Sequence, residues 1–173
     1  LVSVLMTTYN REKYLAQAIE SVLASTYQNF ELLVVDDQSK DKSLEIARDY
    51  ASRDTRVISV LNEKNLGDYP NRNKAASLAK GKYLKYVDAD DMIYPTGLQT
   101  LVEGMERFPE AGFGLSSLPQ DKLKMYPFVL SPAEAYKRHY FQQQLFHKAP
   151  LSAIILKKAF EEVGGFSGRR YLG

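Results

Sequence analysis

The sequence predicts an α/β domain in which a mostly parallel sheet is covered by helices on both faces. Three observations lead there. Short apolar, β-branched runs read as buried strands, segments at helical spacing lie between them, and 173 residues that are 45% hydrophobic can bury a core without the disulfides that zero cysteines rule out.

The elements follow in order. Val2-Ser3-Val4-Leu5-Met6 is a short apolar strand, and Asn10-Arg11-Glu12 leads into a helix carrying Tyr14, Leu15, Ala18, Ile19, Val22 and Leu23 at helical spacing. Residues 30–35 repeat the strand signal and stop at Asp36-Asp37. Ser39 or Asp41 is expected to cap a second helix that carries Leu44, Ile46, Ala47 and Tyr50. A third strand is expected over 56–61, a third helix over 70–79 and a fourth strand over 83–87. After residue 95 the pattern loosens into a helix over 96–107, a short strand over 113–117, a proline-bearing loop over 119–132, a helix over 132–145 and a strand over 152–156. Gly164-Gly165 then breaks the chain before Phe166. No repeat or low-complexity tract marks a second domain.

Composition narrows the chemistry. With no cysteine and only His139 and His147 as histidines, a divalent ion would have to be held by oxygen ligands. The absence of cysteine fits a reducing compartment. Residues 1–118 hold 14 Lys and Arg against 17 Asp and Glu, while 119–173 hold 9 against 4, so an acidic first part and a basic last part are expected to do different work. The positive charges are scattered, which argues against nucleic acid as a partner. No apolar stretch reaches the roughly 20 residues of a bilayer span, and no signal peptide opens the chain. Leu1 already lies in an apolar run and Gly173 carries no ending signal, so the sequence is expected to be a piece of something longer.

In an open parallel sheet, ligands bind beyond the carboxyl ends of the strands. There the chain places Thr7-Thr8-Tyr9-Asn10-Arg11 after the first strand, Asp36-Asp37-Gln38-Ser39 after the second and Asp88-Ala89-Asp90-Asp91 after the fourth. The three clusters are expected to converge at one edge. Carboxylates at Asp88, Asp90 and Asp91 would repel one another unless a cation sat among them, and a hard divalent ion bound to a diphosphate suits that spacing. Turns rich in Asp also serve as solvated loops and caps, so this pattern alone leaves both readings open. The absence of G-x-G-x-x-G after the first strand removes a dinucleotide cradle, and there is no P-loop. A metal-dependent phosphotransfer enzyme with an aspartyl nucleophile would want an acid where Thr7-Thr8-Tyr9 stands.

The ordered segments VSVLMTTYNREKYLAQAIESVLASTY, FELLVVDDQSKDKS, NLG with Arg72-Asn73, AKGKYLKYVDADD and EEVGGF, which span almost the whole chain, resemble the family 2 inverting glycosyltransferases of the GT-A fold. The resemblance implies a three-layer α/β/α sandwich around a mixed, mainly parallel sheet. It implies a single domain over 1–173, with 1–118 binding a nucleotide-sugar and 119–173 beginning the acceptor-binding part. A UDP-sugar is the expected donor. Thr7 and Tyr9 are then expected to flank the nucleotide, and Asp37 to accept a hydrogen bond from the base, with Asp36 beside it. Asp88 and Asp90 match the family's D-x-D pair: Asp88 near the ribose or the metal shell, Asp90 the direct ligand to Mg²⁺ or Mn²⁺, both serving catalysis. Asp91 is expected to cap the following turn.

By the same resemblance, an acceptor hydroxyl attacks the anomeric carbon with inversion while the diphosphate leaves, and a carboxylate base takes the proton. The family sets that base shortly after the GGF segment, yet Ser167-Gly168-Arg169-Arg170-Tyr171-Leu172-Gly173 holds no carboxylate. The chain is therefore expected to stop just before its base and to bind a donor while transferring little sugar; binding without catalysis is the alternative function. The acceptor is expected to be a glycan or a lipid-linked glycan in surface polysaccharide synthesis. The setting is expected to be cytoplasmic, at the inner face of the membrane, with peripheral membrane association of the parent protein.

Other candidates keep two readings each. Arg72 either reaches a phosphate or is a solvated helix residue, and Arg11 either meets a phosphate at the start of the first helix or lies on the surface. His139 and His147 are not expected to form a ligand pair. Tyr136, Tyr140 and Phe141 are expected to pack their segment down. The Gly164-Gly165-Phe166 turn is expected to need glycine so that the chain passes close to the donor sugar. The basic excess after 119 faces an anionic acceptor, a membrane surface or plain solvent.

Overall fold

A computed structural model describes residues 1–116, 125–142, 145 and 150–167. In chain order the elements are β1 (Val2–Thr8), α1 (Leu15–Leu23), β2 (Phe30–Asp36), α2 (Ser43–Arg53), β3 (Val57–Leu61), α3 (Asp68–Leu78), β4 (Tyr83–Tyr86), α4 (Gly97–Arg107), β5 (Phe113–Leu115), α5 (Pro132–Phe141), a 3-10 turn (Pro150–Ser152), β6 (Ala153–Leu156) and α6 (Lys157–Glu162). One six-stranded sheet has the order β3-β2-β1-β4-β6-β5. β1, β2, β3 and β4 run parallel, while β6 is antiparallel to β4 and β5 antiparallel to β6. The mixed, mainly parallel sheet is as expected.

The period of two along each strand divides the core between two faces. Val4, Met6, Leu32 and Val34 pack with α1, α2 and α4, whereas Leu5, Leu33, Val35, Leu84 and Tyr86 pack with α3 and with Phe160 of α6. Both faces of β1 and β2 are covered, which is why those strands read as unbroken apolar runs and not as an alternation. Burying each large apolar side chain contributes roughly 1.5–3 kcal/mol, so the central strands anchor the fold.

Register then brings the strand ends together. Thr8 pairs with Asp36 and Leu5 with Tyr86, so β1, β2 and β4 finish at one edge. Successive strands step outward from β1 through β2 to β3, and β4 returns to the other side of β1. The order reverses between β1 and β4, which opens a crevice at that edge.

Several boundaries differ from expectation. β1 and β2 run on through Thr8 and Asp36, because pairing to neighbours continues past the apolar run. Lys42 occupies the cap position of α2 and makes no side-chain cap bond; the Asp41 carboxylate instead accepts from the Ser43 backbone N–H and hydroxyl. Thr96 stands at the cap of α4, and the Asp91 N–H closes its turn onto the Asp88 carbonyl. The sequence reading missed α6, a six-residue helix too short to show a period. α5 stops at Phe141, and the Leu145 N–H donates to His139 Nδ1. Tyr136, Tyr140 and Phe141 are exposed and α5 buries no residue, so these rings do not pack the segment down. Residues 117–124, 143–144, 146–149 (His147 among them) and 168–173 lie outside the described residues. Among the described residues no helix is long and apolar enough to cross a membrane.

Candidate functional site

At the crevice lies a cavity of about 500 Å³ lined by Thr7, Thr8, Tyr9, Arg11, Asp37, Asn65, Gly67, Asp68, Asn71, Arg72, Asp88, Ala89 and Asp90. It gathers residues that follow β1, β2 and β4 together with the loop that enters α3. Of the residues singled out in the sequence, Thr7, Tyr9, Asp37, Arg72, Asp88 and Asp90 share this hollow. Asp36 does not. As the last residue of β2 it alternates with Val35 and follows Leu32 and Val34 to the α1 and α2 side. There it is fully buried, and its Oδ1 accepts the Ser39 N–H at 2.8 Å.

Asp37 is buried and already occupied by the chain itself. Its Oδ1 accepts from Asn62 Nδ2 at 2.7 Å and from the Leu66 N–H at 2.8 Å, and its Oδ2 accepts from the Gly67 N–H at 2.8 Å. Asn65 Nδ2 also donates to the Asp37 carbonyl at 2.9 Å. Gly67 adopts φ 82°, a conformation open to glycine, and this aims its N–H at the carboxylate. Asn62 reaches on to Asn71 Oδ1 at 2.9 Å. Four lone pairs and three donors leave Asp37 room for one more hydrogen bond at Oδ2.

The acids after β4 meet cations instead. Arg72, whose side chain is 13% exposed, lies 2.7 Å from Asp68 Oδ1 through Nε and 2.8 Å from Asp88 Oδ1 through Nη1. The second contact lies off the N–H direction, so Asp88 Oδ1 is buried and ion-paired without an aligned donor. Burial works against the Arg72 charge, but Asp88 and then Asp68 outweigh it and hold the guanidinium more basic than usual. Tyr86 fixes the backbone beneath by donating its hydroxyl to the Arg72 carbonyl at 3.0 Å.

Arg11 spans the opposite lip. Its Nε lies 3.2 Å from Asp90 Oδ2, with both side chains 46% exposed. Its Nη1 also donates to the Tyr9 and Asn10 carbonyls at 3.4 and 3.3 Å. An exposed pair of this kind contributes about 0–1 kcal/mol, whereas removing one partner of a buried pair costs roughly 3–5 kcal/mol. The two arginines therefore differ in how easily they leave their acids.

Lys85, buried on the α4 side of β4, donates to the Leu151 carbonyl and, at 3.1 Å, to the Ala153 carbonyl. Burial brings its ammonium down to about 8, although Asp88 and Asp91 pull the other way. Burial, then Asp88 and Asp90, raises the Asp91 carboxyl above the usual range.

The glycine turn is clasped from α3. Asn73 donates through Nδ2 to the Phe166 carbonyl and accepts the Phe166 N–H at Oδ1, both at 2.9 Å. Gly165 has φ 73°, and a Cβ there would stand 2.7 Å from Asn73 Oδ1. Glycine is required for this approach to Asn73, and Phe166 then packs edge-on against Tyr86 and Phe160.

Sequence reasoning missed Asn62, Asn71 and Lys85. Asn62 follows β3, and applying the strand-end rule to that strand would have found it. Asn71 and Lys85 carried no signal, because their partners come from distant segments.

Among the described residues no group of three or more histidines and carboxylates is gathered as a ligand set. Asp88 and Asp90 nonetheless fit Mg²⁺ or Mn²⁺: both offer hard oxygen donors to the hollow, and Asp88 Oδ1 lacks an aligned donor. Such ions are held by one or two carboxylates plus phosphate oxygens and water.

The family described as Glycosyl transferase family 2 matches residues 3–164. An uncharacterized glycosyltransferase of Methanocaldococcus jannaschii is 44% identical over 108 residues, covering 61% of this chain and 37% of the relative. The crystal structure of Staphylococcus aureus TarS 1-349 in complex with UDP superposes with TM-score 0.75 at 24% identity, over 94% of this chain and 48% of that one. The Pyrobaculum calidifontis mannosyltransferase PcManGT in complex with GDP-Man and Mn²⁺ gives 0.72 at 21% identity, over 95% and 47%. These structures share the fold, and the chain spans half or less of the length of each protein.

Proposed function

The chain belongs to glycosyl transferase family 2, and we propose that its hollow binds the diphosphate and base of a nucleotide-sugar, UDP-linked, for transfer to an acceptor hydroxyl with inversion. The observation that carries this reading is the pairing of two acids after β4 with two arginines around one cavity at the sheet's switch point. TarS in complex with UDP and PcManGT in complex with GDP-Man and Mn²⁺ support it by shared fold.

In this reading Asp88 and Asp90 hold the divalent ion, which when bound neutralises charge growing on the departing diphosphate. Arg72, which Asp68 keeps in place when Asp88 turns to the ion, presents a positive charge beside the phosphates. The spare lone pair of Asp37 Oδ2 accepts an imino N–H. Uracil and guanine offer such a proton, whereas adenine and cytosine present a ring acceptor there. Thr7 of β1 and Tyr9 just after it, both in the lining, flank the nucleotide. The acceptor, a glycan or lipid-linked glycan of a surface polysaccharide, approaches from the side of residues 119–173 on the cytoplasmic face of a membrane.

Calorimetric titration with UDP, GDP, CDP and ADP, each with and without Mn²⁺, tests this. UDP is expected to bind, tighter with Mn²⁺, and CDP and ADP to bind at least tenfold more weakly. No diphosphate binding, or binding indifferent to Mn²⁺ and base, would overturn it.

A further inference from the structure

Arg11 and Arg72 face the same cavity from differently built positions. Arg72 is mostly buried and paired with two carboxylates, but Arg11 is half exposed and touches one acid and two carbonyls. The backbone that carries Arg11 is firmly held. Its N–H donates to Ser43 Oγ at 2.8 Å, and Asn10 at φ 54° exchanges hydrogen bonds with Ser39 and Lys40. Glu12 does the same with Asp41 and Lys42. What is free to move is the side chain alone.

We propose that Arg11 is a built-in placeholder for the divalent cation: it neutralises Asp90 while no donor is present and swings to the diphosphate when the cation takes Asp90. The idea rests on the donor-binding reading and deepens it by assigning one residue the coupling between metal and nucleotide. Asp90 Oδ2 cannot serve a guanidinium and a divalent ion together, because the two positive charges would repel at contact distance. A cation arriving alone must therefore expel Arg11 into solvent. A diphosphate arriving alone gains Arg11 only by stripping Asp90 of its partner. Arriving together, each supplies what the other displaces, and their affinities rise by a common factor.

The step is an exchange of ion pairs in which no covalent bond changes. Arg72 does not take this part, since its guanidinium stays held by Asp68 when Asp88 turns to a metal.

The test is Mn²⁺ binding followed by electron paramagnetic resonance in the protein and its Arg11→Gln variant, first without nucleotide and then with UDP. Arg11→Gln is expected to bind Mn²⁺ alone about two- to fivefold more tightly, as loss of an exposed ion pair implies. It is expected to bind UDP with Mn²⁺ about tenfold more weakly, from loss of a charge-assisted contact. The factor by which UDP strengthens Mn²⁺ binding falls accordingly. Arg11→Lys, which keeps the charge without the fork, is expected to lie between the two. Unchanged or weaker Mn²⁺ binding by Arg11→Gln, where the unaltered protein binds UDP with Mn²⁺, overturns the placeholder and leaves the donor reading standing. Absence of Mn²⁺-dependent UDP binding in the unaltered protein overturns the donor reading itself, and the placeholder with it.

Discussion

After β2 the acids are met by neutral donors from the chain itself, and after β4 they are met by cations. Asp37 receives an asparagine amide and two backbone N–H groups, and Asp36 receives the Ser39 N–H. Asp88 and Asp90 receive arginines, with buried Lys85 close behind in the same strand. The difference separates acids that fix a loop from acids whose partner can be exchanged. A buried carboxylate bonded to neutral amides fixes the loop that supplies them, since each orphaned donor would cost roughly 1–3 kcal/mol. A rim carboxylate held by an exposed charge can exchange that partner for another charge at little cost.

The largest expected effect that tests this contrast is on Asp37. Asp37→Ala strips three donors of their acceptor and is expected to lower the free energy of urea unfolding by about 3 kcal/mol. A loss under about 1 kcal/mol would break the comparison, because Asp37 would then not be scaffold.

Lys85 gives the next effect, and it reads out in pH. Its folded value is about 8 against 10.5 for a free lysine, so between those values the unfolded chain keeps a proton that the folded chain has released. Stability therefore rises with pH across that window, by about 2 kcal/mol from this group. Urea midpoints at pH 7 and pH 10 should show that rise in the unaltered protein and a smaller one in Lys85→Met. Equal slopes would mean that the cation under β4 is not under strain from burial.

Asp88→Ala is expected to cost about 2 kcal/mol in thermal or urea unfolding, because Arg72 is mostly buried and keeps only Asp68 as a partner. Asp90→Ala is expected to cost under about 0.5 kcal/mol, since its pair with Arg11 is half exposed. Its effect should fall on binding, where Mn²⁺ no longer strengthens UDP. If Asp90→Ala destabilised the fold as much as Asp88→Ala, the two lips of the hollow would not differ as described.

Which parts of this were legible in the sequence follows from the range of the interactions involved. The four parallel strands and the helices between them were readable because burial on both faces writes an unbroken apolar run, a local signal. The rule that ligands meet strand ends picked out three clusters, and the family resemblance singled out within them Thr7, Tyr9, Asp37, Asp88 and Asp90, all of which line the hollow. Asp36 was drawn in by adjacency, and the strand's alternation sent it to the other face. Arg11 was left open between surface and phosphate, because its acid lies 79 residues away. α6 escaped notice because six residues complete less than two turns.

By itself the sequence determined the α/β layering and the carboxyl edge on which its acids gather, since both depend on periodicities and strand ends that neighbouring residues set. Only the tertiary structure decided which acid is tied down and which is exchangeable. That distinction depends on the solvent exposure and the charge of partners brought in from other segments, and a carboxylate is the same letter in either place.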